Sequence, residues 1–398
     1  MSQWKTWQQF VSKTHKPLML QQTGLVNRNY HVLNQLRKRP EINKILAVDL
    51  IPFTTKRCLR VFKESILGKV PGKNITGKFK ADRWKTKITQ VDEKMQVFST
   101  ARHLLKKDHA NKIWGEISDV MSKSDFDSNQ KLLWSYYPMY PLPFENFSGT
   151  KVFDAVDDWR EHPYCKSWRM HLDKSYQAID KNSNSIFTVS KAVQKLFPTN
   201  PNVHWVPNGI DFDHYQKTGS NLTDKLGKIK KPVIGYLGII ESRLDFTLLE
   251  KIATKFPQAS LVLAGPVWKH ADVKRLQAKP NVFFPGPISY NDLPELYNFF
   301  DIGIIPHKIT SFTKSMNPLK MYEYLACGLP VVTTPVAGVE SFSDNIDVAQ
   351  NECAFLSEIK KHLDNPLSDS EKAKQRQVVK NQTWQNRLDK MFSFIPHE

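Results

Sequence analysis

The residues best suited to chemistry lie in the stretch 315–332, which reads SMNPLKMYEYLACGLPVV. Asn317 is a residue type favoured at a helix N-cap, and Pro318 fits the first helical position, where a missing N–H does no harm. Lys320 then lies in the first turn, with Glu323 about one turn later on the same face. Such a helix start favours a bound phosphate, and Lys320 adds a formal charge. The pattern alone also fits a capped surface helix with a charged face.

A second group of candidates lies within and just after a predicted strand at 232–237. Gly235 and Gly238 would let the backbone approach a diphosphate closely, although a simple strand-to-loop turn explains them equally well. Glu241 and Arg243 lie just beyond, and Arg243 could clamp a phosphate with two hydrogen bonds. A surface arginine at a helix start is an equal alternative.

Two adjacent carboxylates, Asp157 and Asp158, follow the predicted strand 151–156. Ligands of open α/β sheets bind outside the carboxyl ends of the strands, so both side chains are expected to face a cleft. A carboxylate there could deprotonate an attacking hydroxyl, and Asp157 is the first choice for that base. The alternative is an N-cap pair for the next helix, because Asp is favoured at that position.

Three residues of the first loop and one histidine complete the candidates. Gly24, Asn27 and Arg28 follow the first predicted strand, and Arg28 could contact a phosphate there. Ordinary turn chemistry explains Gly24 equally well. His307 follows another strand and is expected to border the helix start at Lys320.

Alternating strands and helices are predicted to position these residues. Strands are predicted at 16–23, 44–51, 94–99, 131–137, 151–156, 185–189, 232–237, 259–264, 281–284, 301–305 and 329–333. Helices are predicted at 28–39, 168–180, 191–197, 244–256, 271–277, 293–300 and 318–326. Strands without polar alternation indicate sheets covered on both faces. The pattern predicts an α/β fold of two Rossmann-like, doubly wound domains.

The domain organisation follows from a polar stretch in the middle of the chain. The prediction assigns 1–210 to an N-terminal domain, 211–230 to a linker and 231–375 to a second domain. One long last helix, from about 370 to 394, is expected to cross back, so that 376–398 packs toward the first domain. A chain of 398 residues is too long for one ordinary core, which agrees with this division.

Composition narrows the class of protein. The chain is 40% hydrophobic and 24% charged, as in globular proteins, and it has no apolar run of about 18 residues. The four cysteines, at positions 58, 165, 327 and 353, show no C-x-x-C spacing, which favours a reducing cytoplasm and argues against structural zinc. No signal-peptide pattern opens the chain. The expected compartment is the cytoplasm.

The net charge of +18 is concentrated near the N-terminus. Residues 1–100 hold 20 Lys and Arg against 6 Asp and Glu, and the segment 56–87 is the densest part. Such a patch attracts nucleic acid, a phosphorylated substrate or an acidic membrane face. A solvated loop that keeps the protein soluble is the alternative.

Four stretches together resemble one family. They are VPNGID at 206–211, IGYLG at 234–238, LVLAGP at 261–266 and the helix and strand of 317–332. In this order and spacing they are similar to the hinge, glycine turn, second strand and nucleotide-sugar helix of bacterial glycosyltransferases of the group 1 (GT4-like) superfamily. The resemblance implies the GT-B architecture, in which two Rossmann-like domains face a cleft. The N-terminal half resembles the family only in layout.

The resemblance also implies substrates and roles. A nucleotide-diphosphate sugar, expected to be UDP-linked, would bind the second domain at Gly235, Gly238, Glu241, Arg243, His307, Asn317, Lys320 and Glu323. An anionic glycan or lipid-linked acceptor would bind the first domain at Gly24, Asn27 and Arg28, with Asp157 and Asp158 as the catalytic carboxylates. No Asp-x-Asp pair stands where a metal would hold the diphosphate, so neither metal nor cofactor is expected. The implied process is cell-surface polysaccharide synthesis at the inner face of the plasma membrane.

One departure from the family concerns Ser315, which stands eight positions before Glu323, where another glutamate is common. No lysine–glycine pair follows Arg243, so diphosphate binding is expected to shift to Lys320. The pattern is similar to a branch with teichuronic-acid-type transferases and the glucuronosyltransferase of xanthan synthesis, in which a lysine at this helix start faces the donor diphosphate. Inversion and retention both stay open, because a retaining enzyme uses the donor's own phosphate instead of a base.

Two other functions are weighed against a sugar transferase. A sugar-nucleotide epimerase of the same fold would need several carboxylates and histidines in the cleft and would leave the basic first domain without a use. A nucleic-acid-binding protein would use residues 1–100, but the aromatic residues there form no recognised stacking motif, so nucleic acid is not the expected partner.

Overall fold

The computed structural model describes residues 26–52, 87–102, 107–123, 126, 131–217, 222–268 and 271–396. Three features predicted from the sequence lie outside these ranges, namely the strand at 16–23, the candidate Gly24 and all but the last residue of the basic segment 56–87.

The first half contains α1 (Arg28–Lys38), β1 (Ile45–Pro52), β2 (Lys87–Gln90), β3 (Met95–Arg102), α2 (Lys107–Lys123), β4 (Leu132–Ser135), α3 (Leu142–Asn146), β5 (Thr150–Ala155), α4 (Arg169–Asn182), β6 (Ser185–Thr188), α5 (Lys191–Gln194) and β7 (Val203–Trp205). Strands β4, β5, β6 and β7 pair in that order, and every pair is parallel. Strand β3 pairs with β1 in parallel and with β2 in antiparallel. Short 3₁₀ turns lie at Pro163–Trp168, Tyr290–Asp292, Thr313–Ser315 and Val339–Phe342.

The second half contains α6 (Phe212–Tyr215), α7 (Thr223–Leu226), β8 (Val233–Leu237), α8 (Phe246–Lys255), β9 (Ser260–Ala264), α9 (Lys274–Gln277), β10 (Val282–Gly286), α10 (Leu293–Phe299), β11 (Ile302–Ile305), α11 (Leu319–Ala326), β12 (Val331–Thr333), β13 (Asp347–Val348), α12 (Glu352–Asp364), α13 (Asp369–Lys380) and α14 (Trp384–Phe392). Within the described residues, one parallel sheet has the order β10-β9-β8-β11-β12-β13.

Apolar side chains alternate between the two faces of this sheet. In β8, Val233 and Leu237 pack on the side of α10, whereas Ile234 and Tyr236 pack on the side of α8. Both faces of the strand are therefore buried, as expected for a doubly wound parallel sheet. The predicted α/β fold with Rossmann-like domains is confirmed.

The order of the strands creates a cleft at the carboxyl end of β8. The chain passes from β8 to β9 and β10 on one side and then returns to β11 on the other side of β8. Loops after β8 and β11 therefore diverge, which leaves a crevice at the point where ligands bind in such folds.

The last helix crosses back to the first domain, as predicted. Trp384, Leu388 and Met391 of α14 pack with Val32 and Leu36 of α1 in one buried cluster. Side chains from the C-terminal end of the sequence therefore complete the core of the first domain. The described helices include none long and apolar enough to cross a membrane.

The prediction of one long helix from about 370 to 394 is wrong. Two helices, α13 and α14, are separated at residues 381–383. The backbone N–H of Ile210 donates to Gln382 O at 2.9 Å, and the N–H of Trp384 donates to Ile210 O at 3.2 Å. Since the hinge segment takes these backbone groups, the helix stops, and Thr383 caps the next one.

The stretch 211–230, predicted as a linker, carries the short helices α6 and α7. Tyr215, Leu222 and Leu226 pack into the same cluster as β8 and α10. This stretch therefore contributes to the core of the second domain, while the predicted domain bounds stay predictions.

Candidate functional site

Helix α11 supplies the first side chains of the site, at the carboxyl end of β8. The prediction that Asn317 caps this helix is wrong, because the helix begins at Leu319 with Pro318 at the N-cap. The Oδ1 atom of Asn317 instead accepts hydrogen bonds from the backbone N–H of Asn208 at 2.8 Å and from the Tyr322 hydroxyl at 3.2 Å. A contact with the first domain therefore takes the place of the cap.

Lys320 points from the first turn of α11 over the loop after β8. Its Nζ atom lies 4.9 Å from the centroid of the Tyr236 ring, a cation–π distance. A Cβ atom on Gly238 would lie 3.4 Å from this Nζ, so the glycine leaves room beside the amine. Burial, together with Arg243, lowers the pKa of Lys320 to about 7. Among the described residues, no hydrogen bond or salt bridge engages this amine.

Arg243 and Glu241 form an ion pair on the loop after β8. The Nε atom of Arg243 is buried and has no hydrogen-bond partner in the described part of the chain. The guanidinium also acts electrostatically on Lys320 and on Asp157 of the first domain. One donor of Arg243 therefore stays available to a ligand, while Glu241 holds the other end of the group.

His307 follows β11 on the opposite side of the crevice. It is 1% exposed, and neither ring nitrogen finds a partner among the described residues. Burial, Lys320 and Arg243 all lower its pKa well below the usual value, so the imidazole is neutral near pH 7. A neutral imidazole offers one donor and one acceptor, which suits sugar or phosphate oxygens.

Glu323 lies one turn after Lys320 and is held by two tyrosines. The Tyr215 hydroxyl donates to Oε1 at 3.0 Å, and the Tyr297 hydroxyl donates to Oε2 at 2.6 Å. Burial raises the pKa of Glu323, and these hydrogen bonds and Lys320 oppose the rise. Each oxygen keeps acceptor capacity, so an ionised Glu323 can take two further donors from a diol.

The two carboxylates after β5 occupy different environments. Asp158 is 7% exposed, and Arg160 donates to both of its oxygens at 3.0 Å. Asp157 is half-buried, and no side-chain hydrogen bond engages it within the described ranges. Burial raises the pKa of Asp157 to about 7, a shift that Arg243 opposes and Asp158 and Glu241 reinforce. Asp158 therefore serves a local turn, while Asp157 faces the charged groups of the second domain.

The first-domain loop residues have local roles in this structure. Asn27 caps α1, its side chain accepting from the backbone N–H of Tyr30 at 3.2 Å. Arg28 is 3% exposed, and its Nε donates to both oxygens of the fully buried Asp154 at 2.8 and 3.0 Å. A buried ion pair, rather than an open anion site, occupies this guanidinium.

Gly235 lies inside β8, and it does not form the strand-to-loop turn. A Cβ atom there would stand 2.1 Å from the Phe300 ring, so the glycine serves packing between sheet and helix. Gly238 does lie in the turn, with a φ of 153° that favours glycine. The structure thus brings together Gly238, Glu241, Arg243, His307, Asn317, Lys320, Glu323 and Asp157.

Sequence reasoning missed one residue at this crevice. His162 reaches it from the first domain, its ring 5.0 Å from that of Phe312 in the second domain. Burial and Arg243 lower the pKa of His162 to about 4. The sequence around His162 shows no motif that indicates a site residue, because its contact with Phe312 joins residues 150 positions apart.

Known proteins resemble this chain in sequence and in fold. The family model described as glycosyl transferase-like matches residues 246–393. TuaH of Bacillus subtilis (strain 168), described as a teichuronic acid biosynthesis glycosyltransferase, is 24% identical over 286 residues, which cover 67% of this chain and 72% of TuaH.

Solved structures share the fold at low sequence identity. Sucrose-phosphate synthase from Thermosynechococcus elongatus is 13% identical with a TM-score of 0.61, covering 88% of this chain and 98% of its own. Anabaena HepE, solved in complex with UDP and glucose, is 14% identical with a TM-score of 0.59, covering 88% of this chain and 99% of its own. The chain thus has the fold of these solved structures, and its residues 246–393 match a glycosyl transferase-like family model.

Proposed function

We propose that the chain transfers a sugar from a UDP-linked donor to an anionic glycan or lipid-linked acceptor in cell-surface polysaccharide synthesis. The observation that carries the proposal is the group formed by Lys320, Arg243 and His307 at the crevice of the second domain. HepE, which shares the fold, was solved with UDP and glucose, and TuaH is described by its part in teichuronic acid synthesis.

The donor diphosphate would lie between Gly238 and the start of α11. Burial lowers the pKa of Lys320 to about 7 in the free protein, and a bound diphosphate would raise it, because opposite charges favour the protonated amine. Arg243 Nε and the positive end of α11 would bind the remaining oxygens. We propose that these groups take the place of a divalent metal and that no cofactor is needed.

Asp157 is the proposed base in an inverting reaction. Its carboxylate would take the proton of the acceptor hydroxyl while that oxygen forms a bond to the anomeric carbon. The bond from the anomeric carbon to the diphosphate breaks, and UDP leaves with the electron pair. Lys320 and Arg243 would stabilise the negative charge that develops on UDP, while Glu323 would hold the ribose or the donor sugar.

An anionic acceptor is supported by charge. The first 100 residues carry a surplus of 14 positive charges, which would attract a diphosphate-linked or acidic glycan. The same charge would favour the acidic inner face of the plasma membrane, where a lipid-linked acceptor is exposed.

The decisive experiment offers the pure protein UDP-, GDP- and dTDP-sugars and measures nucleotide release and thermal shift. We expect a shift with UDP and at least tenfold weaker UDP binding in Lys320→Ala, because the amine faces the diphosphate. Lys308→Ala, which removes an exposed lysine of the loop after β11, is the matched control and should change binding less than twofold. Binding of no nucleotide would sink the proposal, and an epimerised UDP-sugar in place of released UDP would favour the epimerase.

A further inference from the structure

Three hydrogen bonds fasten the segment before helix α11 to the first domain. Ser190 Oγ donates to Ser315 O at 2.8 Å. The backbone N–H of Asn208 donates to Asn317 Oδ1 at 2.8 Å, and Asn208 Nδ2 donates to Asn317 O at 2.6 Å. We call these four residues the interdomain clamp. All four are at most 6% exposed, so water does not compete for these bonds.

Asn208 is the centre of the interdomain clamp because each of its polar groups is used. Its Oδ1 lies 3.4 Å from Arg28 Nη1, and its carbonyl accepts from Arg387 Nε at 3.0 Å. Arg28 is fixed in turn by the buried Asp154, and Arg387 belongs to α14. One amide thus connects α1, β5, the hinge and α14 to the segment that leads into α11.

The clamp lies close to the residues that would bind the donor. Asn317 is three positions before Lys320 and six before Glu323, and α11 begins at Leu319. A helix transmits displacement of its first turn to the side chains it carries, since its backbone hydrogen bonds make it rigid. Any movement of the first domain against Asn317 therefore moves the amine and the carboxylate that would meet the donor.

The contacts of Ser315 explain why a serine stands at this position. Its hydroxyl donates to Phe312 O at 2.7 Å, and its carbonyl accepts from Ser190. A glutamate at this position would have to bring a charged carboxylate into a site where the serine is only 4% exposed, and burying a charge is costly. The serine therefore fits a contact between domains rather than a contact with the donor.

We propose that Asn208 is a positioning residue, which acts through Asn317 to hold α11 in the arrangement that binds the donor. The inference rests on the proposed donor site. In this proposal, the hydrogen bond from Asn208 Nδ2 to Asn317 O sets the position of Lys320, and the contact between Asn208 and Arg28 does not.

The test compares Asn208→Asp with Asn281→Asp in the full chain. Asn208→Asp keeps an acceptor for Arg28 but replaces the Nδ2 donor by an oxygen that repels Asn317 O. Asn281 is the matched control, because its Nδ2 donates to the carbonyls of Ala253, Phe256 and Ala259 inside the second domain. Thermal stability, UDP affinity by calorimetry and the radius of gyration without nucleotide are measured for both.

We expect Asn208→Asp to bind UDP about tenfold more weakly than the wild type and to show a larger radius of gyration. Asn281→Asp should keep UDP affinity within twofold at a similar loss of thermal stability. Equal affinity in Asn208→Asp and the wild type, or equal weakening in both variants, would overturn the proposal. A wild type that binds no UDP would refute the donor site alone, because the radius of gyration still reports the clamp.

A second pair covers the case in which Asn208→Asp does not fold. Ser190→Ala removes the bond to Ser315 and the cap of α5, whereas Ser368→Ala removes only the cap of α13. We expect about threefold weaker UDP binding in Ser190→Ala and no change in Ser368→Ala. Unchanged UDP binding in Ser190→Ala would count against the interdomain clamp.

Discussion

Arg243 acts electrostatically on four ionisable groups of the crevice. It lowers the pKa values of Lys320, His307 and His162, and it opposes the rise in the pKa of Asp157. A diphosphate bound at Arg243 would cancel this positive field. We therefore expect donor binding to raise the pKa values of Lys320 and Asp157. Lys320 is then more fully protonated, and Asp157 becomes a stronger base only when a donor is present.

The pH dependence of kcat/KM tests both groups. Asp157 must be ionised to act as a base, so activity should fall below pH 7, and Lys320 must be protonated, so activity should fall above pH 7. Initial rates of UDP release should give a bell with its maximum near pH 7. Asp157→Asn should lower kcat about 100-fold or more with UDP binding intact, because general-base catalysis contributes that much.

Two variants separate the limbs of this profile. Lys320→Arg should lose the alkaline limb, since arginine stays charged at every accessible pH. Asp158→Asn should keep both limbs, because Asp158 is engaged by Arg160 rather than by the crevice. A normal turnover in Asp157→Asn would show that Asp157 is not the base.

At the scale of elements, two glycines of the second domain, one after α11 and one in β8, allow close packing. Gly328 ends α11 with a φ of 76°, and Leu329 N–H donates to Tyr324 O at 3.0 Å, as in a Schellman motif. Gly328 is therefore the residue at which the backbone leaves the helix. In the sheet nearby, the Phe300 ring lies against Gly235 of β8, and both contacts leave no room for a side chain at the glycine.

Gly235→Ala should destabilise the second domain by about 3 kcal/mol, because a methyl group there would overlap the Phe300 ring. The free energy of unfolding from urea titration is the measurement. Gly115→Ala in α2 is the control, since nothing lies within 4 Å of its added Cβ and it should stabilise by about 0.5–1 kcal/mol. Equal effects of the two variants would contradict the role of Gly235 in packing.

The elements that could be predicted are those whose signal is local. Strands such as β8 and β9 are runs of apolar residues, and the closing glycine of α11 follows directly from its neighbours in sequence. The break before α14 could not be predicted, because it depends on Ile210, about 170 positions earlier. Likewise, the sequence predicts Asn317 as a helix cap, because the hydrogen bond that its side chain accepts from Asn208 joins residues about 110 positions apart.

For the whole molecule, the junction of α1, α14 and the second domain is built from stacked rings. His31 of α1 stacks on Trp384 at 4.9 Å between centroids, and His214 stacks on Tyr290 at 4.0 Å. His31 also packs edge-on against Tyr290 and Tyr30. Burial, with His214 adding to it, lowers the pKa of His31 to about 3. The junction therefore requires a neutral His31.

Lowering the pH should reduce the free energy of unfolding through His31. Between pH 6.5 and pH 3 the unfolded chain binds a proton at His31 that the folded chain does not, so stability falls as the pH falls. From pH 7.5 to pH 5 the loss from His31 is about 2 kcal/mol. His31→Phe keeps the ring but cannot titrate, so its urea-unfolding free energy should fall by about 2 kcal/mol less than that of the wild type over this range.

Two other histidines also contribute to the acid sensitivity of the fold. Burial also lowers the pKa values of His214 and His162, so the variant keeps part of the acid sensitivity. An identical loss of stability in His31→Phe and the wild type would show that His31 is not the group that titrates.

The return of α14 to α1 has a consequence for how the protein is made. A ribosome delivers the chain from its N-terminus, and domains generally fold in that order. Here the cluster beneath α1 needs Trp384, Leu388 and Met391, which are synthesised only after the whole second domain. The part of the molecule that is translated first is therefore completed last, because α1 gains its contacts with these three side chains only when α14 has been synthesised.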